Sequence, residues 1–244
     1  MSGKKIKIAL CLSGEPRSSM FCFPYIYESL INLGSEYEVD VYIHSWKNFR
    51  ALPLYKPKNY LIEWVNERDF FNKIIKSLKF EKSPNATNII KELNFHTDNS
   101  NPLKNYFLMY LSMKQCFNLI DTSYDIYIRG RLDFYISYPL NLIPILEEIK
   151  LKSYDVFLPS IDINNQIFFN DQFAVCNLKG AKYYFNLFNE IPSLIEETGM
   201  VNPHIWLKNY LKNSKLNVKN SSFLIDLVRS SRVITACNHP YYDN

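Results

Sequence analysis

The sequence predicts an α/β fold, a Rossmann-like, mixed and mainly parallel sheet flanked by helices, on three observations. Lys5 to Leu12 is a short apolar run that ends in Ser13-Gly14-Glu15-Pro16-Arg17, where glycine and proline stop strand pairing. A helical stretch from Ser18 to Leu33 leads to a second apolar strand, Glu38 to Trp46, so the chain opens β-α-β with a right-handed parallel crossover. Further on, Tyr124 to Tyr135 carries a third strand, apolar at Ile126 and Ile128, with Arg129, Arg131 and Asp133 at alternate positions. At 244 residues and 47% hydrophobic the chain can bury a full core, and no linker or repeat divides it, so residues 1–244 are expected to form one domain.

The remaining elements follow from periodicity and punctuation. A proline-rich loop follows Trp46, then amphipathic helical pieces from Tyr60 to Leu78 and a polar stretch from Lys82 to Asn101. Phe95 to Pro102 has the composition of a mobile loop or lid, or of a plain connection. Apolar residues at Phe107, Leu108, Leu111, Cys116, Leu119 and Ile120 predict a helix over Leu103 to Ile120. After Asp133 come a helix from Leu140 to Leu151, a strand from Tyr154 to Pro159, a polar turn from Ile161 to Asn170 and a β-like run from Asp171 to Cys176. Helices over Lys179 to Asn189 and Ile205 to Leu211 precede closing strands at Ser222 to Val228 and Arg232 to Ala236.

Charge excludes some partners. The net charge of +4 comes from 28 basic and 24 acidic residues that are interleaved rather than blocked, which argues against nucleic acid. The one locally basic stretch with aromatics, Trp46 to Lys58, suits a phosphate-bearing small molecule or a solvated loop. Five cysteines, Cys11, Cys22, Cys116, Cys176 and Cys237, are odd in number and widely spaced, without zinc spacing, and read as reduced thiols of a cytoplasmic protein. No apolar run approaches the ~20 residues that cross a bilayer, so any membrane association is expected to be peripheral.

Arg129, Arg131 and Asp133, sent to one side of a strand end, form a candidate anion site. Two guanidiniums can grip a diphosphate in bidentate fashion, and a carboxylate beside them can hold a divalent cation. An internal Arg-Asp network closing the strand end is the structural alternative. Neither GxGxxG nor a Walker sequence is present, so dinucleotide and P-loop readings lack their backbone signature, and Ser13-Gly14-Glu15-Pro16 is a poor glycine-rich turn for a methyltransferase.

Four pieces, in order, resemble a family of small GT-A-fold glycosyltransferases found in bacterial surface-polysaccharide loci and large DNA viruses. They are Ile8 to Gly14 with Arg17, Asp40 to Trp46, Tyr124 to Asp133, and Asn170-Asp171-Gln172-Phe173-Ala174. The resemblance implies transfer of a sugar from a nucleoside-diphosphate sugar to a glycan or glycoconjugate acceptor. It places Ser13, Gly14, Arg17, His44, Trp46, Arg129 and Arg131 around the donor and Asp133 at the second acid of the metal-binding Asp-X-Asp. Arg131 replaces the first acid, so a guanidinium would neutralise the leaving diphosphate where a manganese or magnesium ion usually does. A C-terminal histidine as a further metal ligand occurs in some such enzymes, which makes His239 a candidate, with a disordered tail as the alternative. Asn202-Pro203-His204 stands where a Pro-Glu is expected at a helix start, so His204 takes that acid's role or the role is absent.

Asp171, opening a strand after a polar turn, is the candidate base for the acceptor hydroxyl, with a turn-capping acid as the alternative. On an apolar strand a satisfied core histidine is the more common outcome and is the alternative for His44, and Trp46 can stack on a base or pack locally. Loss of Asp133 is expected to abolish transfer in a protein that stays folded. A non-catalytic sugar-nucleotide or glycan-binding protein on the same scaffold is the competing function, kept open by Arg131 in place of the motif acid.

Overall fold

β1 (Ile6–Ser13) is buried on both faces, which accounts for a strand that is apolar without alternation. The computed structural model describes residues 4–15, 19–47, 73–92, 100–135, 142–163, 166–221 and 226–227. On one face of β1, Ile8, Leu10 and Leu12 join a core layer with Cys22, Phe23 and Ile26 of α1 (Ser19–Ile26), which continues as a wider π-type turn over Tyr27–Ile31. On the other, Ala9 and Cys11 meet Phe107, Tyr110, Met113 and Cys116.

The chain continues through β2 (Tyr37–Trp46), β3 (Ile75–Glu81), α2 (Ala86–Glu92) and α3 (Ser100–Phe117), the helix that supplies this second layer. Next come β4 (Ile126–Arg131), β5 (Phe134–Tyr135), α4 (Ile143–Lys150), β6 (Val156–Ile163), β7 (Gln166–Phe169) and β8 (Ala174–Cys176). The described part closes with α5 (Leu178–Tyr184), α6 (Ile191–Thr198), α7 (Pro203–Lys212), β9 (Val218–Ser221) and β10 (Asp226–Leu227). Strand order is β3-β2-β1-β4-β8-β6-β7, with β9 beside β6 and a separate β10-β5 pair. β1 pairs in parallel with β2 and β4, β2 with β3, and β6 with β9, whereas β8 is antiparallel to both β4 and β6. The sheet is therefore mixed and mainly parallel, as the sequence predicts. The chain leaves β1 toward β2 and β3 and returns through α3 to β4 on the other side. The carboxyl ends of β1 and β4 thus flank a topological switch point, where open α/β sheets bind ligands.

Several local expectations change. Residues 75–78, read as the end of a helix, begin β3, because pairing with β2 overrides a weak helical periodicity. Pro102, read as the end of a loop, lies in the first turn of α3, where its missing N–H costs nothing. The polar turn at Ile161 to Asn170 is largely the β6–β7 hairpin, with Ile161 opposite Phe168. β4 stops at Arg131, and Leu132-Asp133 is a turn rather than a continuation of the strand. Arg17, His239 and the strand expected at Arg232 to Ala236 lie outside the described residues.

α5 presses on the start of β6 through Gly180, where an added Cβ would lie 2.0 Å from the Asp155 carbonyl oxygen and 2.7 Å from a Val156 methyl. The obstacle includes backbone, so the strand itself must shift. Gly180→Ala is expected to lower unfolding stability by ~1–3 kcal/mol, measured by urea denaturation. An unchanged midpoint would show that the helix can lift off without cost.

Candidate active site

The alternating arginines of β4 point to the α3 side of the sheet, the same side as Tyr127. Arg131 donates from Nε and Nη2 to the two carboxylate oxygens of Asp133, at 2.7 and 2.9 Å. This is the bidentate fork that a phosphate would otherwise occupy. The Asp133 side chain is 1% exposed and that of Arg131 12%. Burial would lower the Arg131 pKa, but the Asp133 charge and hydrogen bonds outweigh it, with smaller help from Asp171 and Glu15, and raise it above the ordinary value. Among the described residues the remaining guanidinium nitrogen, Nη1, meets only a soft acceptor, Met109 Sδ, at 3.4 Å.

Arg129 is fully enclosed and donates Nη1 to the Gln172 carbonyl. That contact ties β4 to the Asn170–Phe173 loop. Asn170 Oδ1 accepts from Gln172 N at 2.9 Å, so Asn170, and not Asp171, caps this turn. Asp171 is 5% exposed, and His204 Nδ1 lies 3.9 Å from its Oδ1. The same nitrogen is 3.0 Å from the Phe169 carbonyl, an acceptor, and therefore carries a hydrogen. Asn202 caps α7 by accepting from the amides of His204 and Ile205, which sets the imidazole beside the loop.

Buried polar atoms without a hydrogen-bond partner among the described residues, Ser13 Oγ, Arg129 Nε, Gln172 Oε1 and Tyr184 Oη, collect at this place. Ser13 is the register partner of Arg131, Gln172 holds Arg129, and Tyr184 lies in the field of Arg129 and Asp171. Such orphans are few in folded proteins and call for an explanation where they cluster.

His44 and Trp46 have a different task. His44 Nε2 is 3.0 Å from Glu81 Oε1, which only accepts, so Nε2 bears the hydrogen and Nδ1 accepts from the Ser112 hydroxyl at 2.8 Å. Ser112 Oγ in turn accepts from Gly14 N at 3.1 Å, and Ser45 Oγ donates to the Gly14 carbonyl at 2.7 Å. The four side chains hold Gly14 at φ +115°, a backbone state that favours glycine. Trp46, 4% exposed, donates Nε1 to the Leu108 carbonyl and sets its ring edge-to-face with His44, 4.7 Å between centroids. Both pack beneath the Ser13–Gly14 turn. Ser112 and Glu81, which complete this relay, carry no sequence signal.

The arrangement does not fit a divalent cation on Asp133. Both carboxylate oxygens accept from Arg131, and among the described residues no group of three His, Cys, Asp or Glu side chains stands together.

Neither a family model nor a curated protein matches the sequence. Solved structures match its fold. The galactosyltransferase LgtC in complex with donor and acceptor sugar analogues superposes with a TM-score of 0.50 at 13% identity, over 88% of this chain and 73% of that one. An active-site mutant of LgtC gives 0.51 at 12% identity, over 97% and 81%. The glycosyltransferase GlyE of Streptococcus pneumoniae gives 0.47 at 13% identity, with this chain spanning 45% of its length. The fold is GT-A-like. At these identities the likeness establishes architecture, and the chemistry must be argued from the residues.

Burial lowers the His44 pKa, an effect that its hydrogen bond and charge interaction with Glu81 oppose without cancelling. The folded protein therefore keeps the ring neutral while the unfolded chain protonates near 6.5. This contribution to stability is present above that pH and is lost as pH falls below it. The thermal midpoint is expected to drop between about pH 7 and pH 5, and His44→Gln to flatten part of that drop. Identical pH profiles for the two proteins would remove His44 from the account.

Proposed function

We propose that residues 1–244 form a nucleotide-sugar-dependent glycosyltransferase domain whose donor diphosphate lies at the carboxyl ends of β1 and β4. The observation that carries this reading is the collection of orphaned buried polar atoms around Arg129 and Arg131 at the switch point of a GT-A-like sheet. A polar ligand arriving there supplies partners that the described residues do not. A buried ion pair is seldom worth its desolvation for stability alone, which adds weight to a functional role for Arg131–Asp133.

In this reading Arg131 Nη1 and the Ser13–Gly14 turn face the leaving diphosphate, and Asp133 holds the guanidinium in orientation. The anomeric C–O bond to phosphate breaks with its electrons passing to the diphosphate. The acceptor oxygen bonds to the anomeric carbon, and Asp171 takes the acceptor proton, as an inverting displacement requires. His204, with Nδ1 held by the Phe169 carbonyl, stands 3.9 Å from the Asp171 carboxylate and walls that side of the site. A glycan or glycoconjugate acceptor would enter beside Asp171.

A second reading, a non-catalytic sugar-nucleotide or glycan-binding protein, draws on one observation: the Arg131–Asp133 pair neutralises itself. Thermal shifts with UDP-, GDP-, CMP- and dTDP-sugars, with and without manganese, followed by donor hydrolysis assays, separate the two. A transferase turns over the donor that stabilises it; a binding protein is stabilised without turnover. Equal stabilisation with and without manganese is expected from the chelated Asp133.

The ion pair alters how Asp133 is tested. Asp133→Ala would leave Arg131 buried and unpaired, at a cost of ~3–5 kcal/mol, so the expectation that this variant stays folded is withdrawn. The double variant Arg131→Gln, Asp133→Asn removes both charges with little change of shape. It is expected to keep the fold by circular dichroism and to lose donor turnover; wild-type turnover would make the pair purely structural. Asp171→Asn is expected to preserve donor affinity and lower kcat by roughly 10²–10⁴-fold. If the melting temperature falls instead, with kcat per folded molecule intact, Asp171 is not the base.

A further inference from the structure

The opposite end of the sheet carries a second concentration of charge, independent of the proposed donor site. A groove of about 810 Å³ runs between the end of α4 and the start of α5, lined in part by Lys150, Lys152, Lys179 and Lys182 with Asp125 and Asp155. It opens at the amino end of β4, and that strand's 6 residues, at ~3.3 Å each, put it about 20 Å from Arg131.

The two carboxylates are already engaged. Asp155 accepts from Lys179 Nζ at 2.8 Å, Asn177 Nδ2 at 2.9 Å and the Asn217 amide at 3.0 Å, and Asp125 accepts from the Lys7 amide at 2.9 Å. Lys150, Lys152 and Lys182 are exposed and have no carboxylate partner among the described residues. Large apolar side chains stand among these charges. Leu151, between Lys150 and Lys152, is 73% exposed, and Leu178, on the groove wall beside Lys179, is 38% exposed. The chain holds Leu151 outward by closing α4 with Lys152 at φ 58°, a left-handed conformation usually given to glycine, while Lys152 N donates to the Ile149 carbonyl.

We propose that this face docks on an anionic lipid bilayer, with lipid phosphates among Lys150, Lys152 and Lys182 and with Leu151 and Leu178 entering the headgroup boundary. Uncompensated lysines around protruding leucines match a surface that is negative outside and apolar just beneath. A soluble polyanion would use the lysines alone and leave the leucines in water. Docking by this face points the carboxyl ends of the strands away from the bilayer.

The test is flotation of the full chain with phosphatidylcholine vesicles with and without phosphatidylserine. Binding only to the anionic vesicles is expected. Lys150→Gln with Lys152→Gln should weaken it by about 25-fold, at fivefold per lysine, and Leu151→Ser should weaken it further. All three positions are exposed, so the thermal midpoint should stay constant and serve as the folding control. Absence of binding, equal binding to both vesicle types, or indifference to the lysine substitutions overturns the proposal. Binding to inorganic polyphosphate that matches vesicle binding and ignores Leu151→Ser also overturns it, in favour of a soluble polyanion.

Discussion

Enclosure of β1 on both faces is the constraint from which the positions of the functional elements follow. A strand with Ile8, Leu10 and Leu12 on one side and Ala9 and Cys11 on the other has no face to show to water, so helices must cover both. Its parallel neighbours then require crossovers, and one leads out to β2 while the other returns to β4 through α3. The carboxyl ends of three strands therefore come together with fixed register. Ser13 stands opposite both His44 and Arg131 because the ladder is parallel and unslipped over its whole length.

That register sets hydrophobic and polar demands against each other. The strands arrive apolar and end polar, so Ser13, His44, Arg129 and Asp133 are all buried at or beside their ends. The structure meets the demand unevenly. On the β2 side, His44, Ser112, Glu81 and Ser45 form a relay that holds Gly14 in its left-handed turn. On the β4 side, Arg131 is paired, Arg129 is held by one carbonyl, and several buried atoms have no partner among the described residues. A local breach of the rule that buried polar groups are satisfied marks function more often than error in an otherwise consistent fold.

The architecture was legible because its signals are strong and local. Apolar runs bounded by Ser13-Gly14-Glu15-Pro16 and the helix ahead of β4 need no long-range information to be read. The misreadings share a cause. Ile75 to Leu78 has mixed periodicity and became a strand only because β2 offered an edge, and the segment at Ile161 to Phe169 is polar enough to pass for a turn until β6 and β7 pair. Arg129 and Arg131 were recognisable as neighbours on one face, and an Arg-Asp network closing the strand end was one of the two readings; that Arg131 and not Arg129 takes Asp133 depends on the chain turning at Leu132, which alternation does not encode.

Residue order by itself determined the α/β class, the opening β-α-β unit and the concentration of charge at the end of β4, since each rests on side-chain period and on the stereochemistry of glycine and proline. Tertiary structure decided the partners. His44 and Trp46 became supports under the Gly14 turn because Glu81, Ser112 and Leu108 reach them from distant parts of the chain. Asp171 was separated from turn capping because Asn170 accepts the amide of Gln172. A side chain's chemistry is set by what desolvates it and what it bonds to, and in this fold those partners come from the other side of a parallel sheet.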